Sequence, residues 1–160
     1  MKNLTIYTDG SHLKHTTGRL GIGGVLVDND TNKKIDEFSQ ELSIDFLKNN
    51  YGTSDVSNPT CEMLAALISL RIFKTQIENC NSLCIKADYA GVREFNLGNW
   101  HAKAPYIQKI KIETDKEINS IGLRGKISFG WVKGHQNKSI LDKDGIWNSY
   151  VDILAKGKKP

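Results

Sequence analysis

The sequence predicts an α/β protein: a five-stranded mixed sheet with helices on both faces, in the order βββαβααβα. Three observations lead there. Three β-rich segments follow one another at the N-terminus, separated by polar stretches. Next comes a long helical segment that is apolar almost all the way round, so it must be buried. From there, short apolar strands alternate with helical segments, the pattern of a sheet covered by helices.

Leu4–Thr8 alternates and is rich in β-formers, so it reads as a strand ending at Asp9. Gly10-Ser11 reads as a turn and His12–Arg19 as a polar loop. Gly21–Val27 is the second strand, with Gly21, Gly23 and Gly24 allowing close backbone approach. Asp28 to Asn32 carries turn residues, and Lys34–Leu42 completes an antiparallel meander. Ser43–Ser57 reads as a long irregular connection, and its Phe46–Val56 stretch as an insertion.

Asn58-Pro59 then opens a helix, with Asn as cap and Pro at the first helical position. That helix is expected to run to Glu78, with Glu62 in its first turn near the positive end of the dipole. Ser82–Ala87 is a short buried strand. A helix from Tyr89 breaks at Leu97-Gly98-Asn99, and Pro105 opens another that reaches Ile121. Lys126–Val132 is the fifth strand and Lys133–Gly145 a polar loop. The last helix, Ile146–Lys156, places Ile146, Trp147, Tyr150, Val151 and Leu154 on one face.

A chain of 160 residues is expected to form one domain, residues 1–160. Charged residues at 25% and hydrophobic residues at 39% are ordinary for a water-facing globular protein. No apolar run approaches the roughly 20 residues of a membrane span. The N-terminus moves directly into a strand, which argues against a signal peptide. Cys61, Cys80 and Cys84 lack metal-ligand spacing, and an odd, scattered set suits a reducing compartment. A cytoplasmic monomer is the expectation. Net charge is +4 but uneven: residues 1–99 hold 10 Lys/Arg against 12 Asp/Glu, and residues 100–160 hold 12 against 6. A basic half beside acidic groups suits a polyanion that needs both steering and a cation, although a solvated surface would read the same way.

Four acidic residues sit at the edges of apolar segments: Asp9, Glu62, Asp88 and Asp152. Buried carboxylates must be paired or bound to a cation. Hard oxygen clusters select Mg²⁺ or Mn²⁺. Asp9 closes the first strand and Asp88 follows the fourth, so adjacent strands would bring them to one sheet edge, where open α/β sheets place ligands. Singly, each has an ordinary reading. Asp9 can belong to a turn, Glu62 can serve the helix dipole, and Asp152 can pair with Lys156 four residues on.

As an ordered set, the residues resemble a type 1 ribonuclease H over nearly the whole chain. The resemblance rests on Tyr7-Thr8-Asp9-Gly10-Ser11, Glu62-Met63-Leu64-Ala65-Ala66, Asp88-Tyr89, Trp131-Val132-Lys133-Gly134-His135, and Asn148 through Asp152-Ile153-Leu154-Ala155. It implies a ribonuclease H-like fold and an endonuclease that hydrolyses the RNA strand of RNA–DNA hybrids, leaving 5′-phosphate and 3′-hydroxyl ends. It implies two Mg²⁺ ions in the substrate complex, with Mn²⁺ as a substitute. Asp9 would bridge both ions, Glu62 and Asp88 would hold the one on the leaving-group side, and Asp152 the one carrying the nucleophilic water. His135 would assist proton movement or product release. Gly10, Ser11, His12 and Asn58 match positions that contact the RNA strand, and Asn148 matches a position near the metals.

Pro59 stands where relatives often carry a second polar residue, which removes one RNA contact. The segment from Asn96 to Lys103 is shorter than the basic helix of the best-known bacterial enzymes, so Trp100 and Lys103, with Lys109, are left to flank the DNA strand. Trp100 packing over a helix junction is the equal alternative. Asn137–Gly145 is longer than the family norm. The rivals are a nuclease of the same fold acting on other strands, a non-catalytic nucleic-acid-binding module, and a domain of a larger polymerase. The complete carboxylate set argues against the second.

Overall fold

The computed structural model describes residues 1–12, 19–134 and 142–160. Among them lie five strands: β1 (Asn3–His12), β2 (Arg19–Asp28), β3 (Lys33–Ser43), β4 (Ser82–Ala87) and β5 (Ile127–Trp131). Six helices accompany them: α1 (Ile44–Tyr51), α2 (Asn58–Ile72), α3 (Lys74–Ile77), α4 (Ala90–Asn96), α5 (Pro105–Ile121) and α6 (Lys143–Ala155). The strands form one mixed sheet in the order β3-β2-β1-β4-β5. The meander is antiparallel, while β4 runs parallel to β1 and β5 parallel to β4.

Alternation along the central strands sends side chains to two cores. Leu4 and Ile6 of β1, with Leu20, Ile22 and Leu26 of β2, join the large cluster around α2. Tyr7, Val25 and Val27 point the other way and meet Val151 of α6. The glycines of β2 follow the same alternation. A Cβ on Gly23 would strike Ala155 and Leu154 of α6, whereas one on Gly24 would strike Phe38 and Ser69. The sheet is thus covered on both faces, as expected.

Several elements differ from the sequence expectation. The stretch read as irregular contains α1, whose Ser43 side chain accepts from the Phe46 amide and whose Gly52 closes the end in the left-handed conformation. Asn49 and Asn50 therefore lie in its last turn, and Leu47 and Tyr51 are buried beneath it. The helix expected to reach Glu78 ends at Ile72, bends at Phe73 and resumes as α3. Ser57, not Asn58, precedes α2, and Pro59 is its second residue. Both positions tolerate Pro, because the first four amides of a helix have no intrahelical acceptor. Glu62 consequently sits one residue deeper than expected, just past the first turn. The final helix starts at Lys143, where Asp142 caps it through the Gly145 amide. Ile146 points to solvent rather than into the core.

Among the described residues no helix is long and apolar enough to cross a membrane.

Candidate active site

β1 does not stop at Asp9. It pairs with β2 through His12, so Gly10-Ser11 is strand and not turn. The parallel register sets Tyr7 opposite Lys86, which brings Asp9 level with Asp88 just past the end of β4. Glu62 comes in from α2 on one face of the sheet. Asp9, Glu62 and Asp88 each place a carboxylate oxygen within 4.8 Å of the others, a spacing that suits a metal ion.

Close approach of α2 to β1 makes this possible. A Cβ on Gly10 would lie 2.4 Å from the Cys61 backbone carbonyl carbon and 2.6 Å from its Cβ. Only a residue without a side chain lets the two segments meet. The Gly10 amide donates to Asp9 Oδ1 at 3.0 Å and to Glu62 Oε1 at 3.2 Å, so one N–H aims both carboxylates. Gly10→Ala is therefore expected to destabilise the fold by about 3 kcal/mol and to abolish activity. Thermal unfolding checks this, and an unchanged midpoint would refute the close-packing account.

Electrostatics favour a cation here. Asp9 is 4% exposed and so is Glu62. Burial is the largest influence raising the proton affinity of each, and neighbouring carboxylate charges add to it: Glu62 and Asp88 at Asp9, Asp88 and Asp152 at Glu62. Glu62 Oε2 is buried without a hydrogen-bond partner. A divalent ion would relieve the repulsion and satisfy that oxygen, so the donor set fits a hard cation.

Asp88 is held from several sides. Asn148 Nδ2 of α6 donates to its Oδ2 at 3.4 Å, and the Trp131 indole N–H donates to its carbonyl at 3.0 Å. Gly134 packs so closely that a Cβ there would stand 3.2 Å from Asp88 Oδ2. Asp152, on α6, is half-exposed and pairs with Lys156 at 2.9 Å. It bears on Asp9 and Glu62 electrostatically but lies outside the tight trio. Of its two sequence readings, the ion pair with Lys156 is present in the structure, and the role of metal ligand stays an expectation.

The other expected site residues are more dispersed. His135 lies outside the described residues. Ser11 is half-buried and His12 exposed at the end of β1, while Asn58 is exposed as the first residue of α2. Trp100 is 44% exposed, yet its ring packs edge-on against Phe95 at 5.5 Å, so it combines a junction contact with a free face. It borders a cleft of about 430 Å³ together with Ile107, Lys111 and Ile112. Lys103 is exposed. Lys109, by contrast, is engaged by α1: its ammonium donates to the Asn50 carbonyl and stands 5.4 Å from the Tyr51 ring centre.

Sequence reasoning missed the supporting contacts of Trp131 and Gly134, although both lay within a quoted motif. It also missed Tyr7, Lys86 and Asp144, whose partners are 58 to 137 residues apart in sequence and share no local signal.

A family model described as RNase H matches residues 1–159. Ribonuclease H of Francisella tularensis subsp. novicida is 28% identical over 97% of this chain and 96% of its own. Among solved structures, the N-terminal RNase H domain of a Mycobacterium tuberculosis protein superposes with a TM-score of 0.71 at 18% identity, covering 99% of both chains. RNase H1 of the halophilic archaeon Halobacterium salinarum gives 0.66 at 16% identity, covering 96% of this chain and 94% of its own. LC11-RNase H1, solved in complex with an RNA/DNA hybrid, gives 0.67 at 16% identity, covering 98% of this chain and 96% of its own.

Proposed function

Because the chain belongs to the RNase H family, as a type 1 ribonuclease H and hence an endonuclease, we propose that it hydrolyses the RNA strand of RNA–DNA hybrids and leaves 5′-phosphate and 3′-hydroxyl ends. The observation that carries this reading is the Asp9–Glu62–Asp88 cluster, with its like charges and orphaned Glu62 Oε2. The neighbour solved with an RNA/DNA hybrid supports the choice of substrate. The proposal extends to a single domain over residues 1–160 that acts as a cytoplasmic monomer.

Asp9, Glu62, Asp88 and Asp152 would hold two Mg²⁺ ions, or Mn²⁺ in their place. Such ions supply Lewis-acid charge to the attacking and leaving oxygens of a phosphodiester. The protein's own groups prepare the site. Gly10 N–H fixes the orientation of Asp9 and Glu62, and Asn148 and Trp131 hold Asp88. His135 would take up the proton that the attacking water sheds, a task suited to a side chain titrating near neutrality.

RNA is distinguished from DNA by its 2′-hydroxyl. Gly10, Ser11, His12 and Asn58 would read that group along the β1–α2 edge. Trp100 and Lys103 would flank the DNA strand, with the free face of the indole available for stacking.

The test uses labelled RNA–DNA hybrid, double-stranded RNA and double-stranded DNA with Mg²⁺, with and without chelator. Cleavage confined to the hybrid's RNA and abolished by chelator is expected. Cleavage that survives the chelator, or that falls equally on double-stranded DNA, would overturn the reading.

A further inference from the structure

Asp144 lies in the first turn of α6, four residues before Asn148 and eight before Asp152. That spacing keeps the three on one stripe of the helix. The Asp144 carboxylate accepts the Tyr7 hydroxyl at 2.5 Å and the Lys86 ammonium at 3.0 and 3.1 Å. Tyr7 and Lys86 are directly paired across the parallel β1–β4 ladder. Each stands two residues before a carboxylate of the cluster, Asp9 or Asp88. Helix α6 is therefore tied to this part of the sheet twice: to β1 and β4 at Asp144, and to the residue after β4 where Asn148 meets Asp88.

The network is sheltered. Tyr7 is 1% exposed, and the side chains of Lys86 and Asp144 are 26% and 29% exposed. Charged hydrogen bonds so placed are stronger than open surface pairs. Asp144 is not needed as a helix cap, since the neighbouring Asp142 already accepts the Gly145 amide. Its bonds run to the sheet instead. Without Asp144, a buried phenol and an ammonium would be left unpaired one step along the sheet from the acidic cluster. The ammonium would then be drawn towards the carboxylates that a cation needs.

We propose that Asp144 is a positioning residue: with Tyr7 and Lys86 it clamps α6 to β1 and β4, so that Asn148 and Asp152 meet Asp88 and Asp9 in the arrangement that binds divalent cations. The proposal rests on the reading of this site as a metal-dependent hybrid nuclease. Its effect is on the metal site and turnover, not on hybrid affinity.

The experiment compares wild type with Asp144→Ala, Asp144→Asn and Tyr7→Phe, each held well below its unfolding midpoint. Mg²⁺ binding is read by calorimetry without substrate, and kcat and KM are read on the hybrid. Asp144→Ala is expected to weaken Mg²⁺ binding and lower kcat by about tenfold each, the scale seen when groups orienting metal ligands are removed, with KM for hybrid within about twofold. Asp144→Asn, which still accepts from Tyr7, should recover part of the loss. A folded Asp144→Ala with unchanged Mg²⁺ affinity and kcat, or a loss confined to KM, overturns the proposal. If Asp144→Ala does not fold, Tyr7→Phe decides: removal of one hydrogen bond should weaken Mg²⁺ binding about fivefold, and no change overturns the clamp. Failure of the wild type to cleave hybrid would overturn the functional reading, and the calorimetric arm would still judge the clamp.

Discussion

Replacing Asp9 by Asn is expected to lower hybrid cleavage by more than about 10³-fold while raising the melting temperature of the metal-free protein. The two effects share a cause. Asp9 is buried beside Glu62 and Asp88, and burial first, then the neighbouring carboxylates, disfavours its ionised form. Asn keeps the shape and the acceptor for the Gly10 amide but removes a carboxyl group whose ionisation the fold disfavours. The metal-free fold no longer bears the cost of holding that group against its preferred ionised state and gains roughly 1–2 kcal/mol, in the range of other stabilising site replacements, or about 3–6 °C in midpoint. Catalysis loses charge stabilisation worth several kcal/mol, which converts to three or more powers of ten in rate. Circular dichroism melts in chelator and single-turnover cleavage check the pair of effects. Retained activity would overturn the site, and a strongly lowered midpoint would show that Asp9 is structural.

The second large effect concerns pH and metal together. In the unfolded chain Asp and Glu ionise near pH 4. In the metal-free fold both Asp9 and Glu62 retain their protons to higher pH, chiefly because they are buried. From about pH 4 upward the folded state therefore binds more protons than the unfolded one, and stability falls as pH rises. Mg²⁺ needs the ionised carboxylates, so it competes with those protons. At a fixed Mg²⁺ concentration the midpoint should rise by several degrees at pH 8 and by far less at pH 5.5. Differential scanning fluorimetry with Mg²⁺ and with chelator measures this. A shift as large at pH 5.5 as at pH 8, or one that persists in Asp9→Asn, would place the cation elsewhere.

The elements that were legible in the sequence carry strong periodic or compositional signals. The meander shows in its alternation and its Asp28–Asn32 turn, α2 in its unbroken apolar surface, and α5 in Pro105 and its spaced apolar residues. What stayed hidden was weakly periodic or capped from outside. The helix α1 is short, and its stability comes from Leu47 and Tyr51 packing into the core and from the Tyr51 hydroxyl donating to Glu113 of α5. Asn49, Asn50 and Gly52 carry loop signals that this packing overrides. The continuation of β1 through Gly10-Ser11 was missed for a related reason. Local propensity favours a turn there, but pairing with Ile22 and Gly21 of β2 keeps the backbone extended.

The chemistry of the site was written in residue types and their order. Asp9, Glu62, Asp88 and Asp152 stand out as an ordered set of acidic residues at the edges of apolar segments, although each singly has an ordinary reading. The arrangement was decided only by tertiary structure. Gly10 lets α2 come close enough for Glu62 to join Asp9, the parallel register levels Asp9 with Asp88, and α6 delivers Asn148 inward while Asp152 stays paired with Lys156. None of these facts has a signature within a single segment. Each depends on two distant segments meeting, and the sheet register and helix packing that bring them together belong to the whole chain.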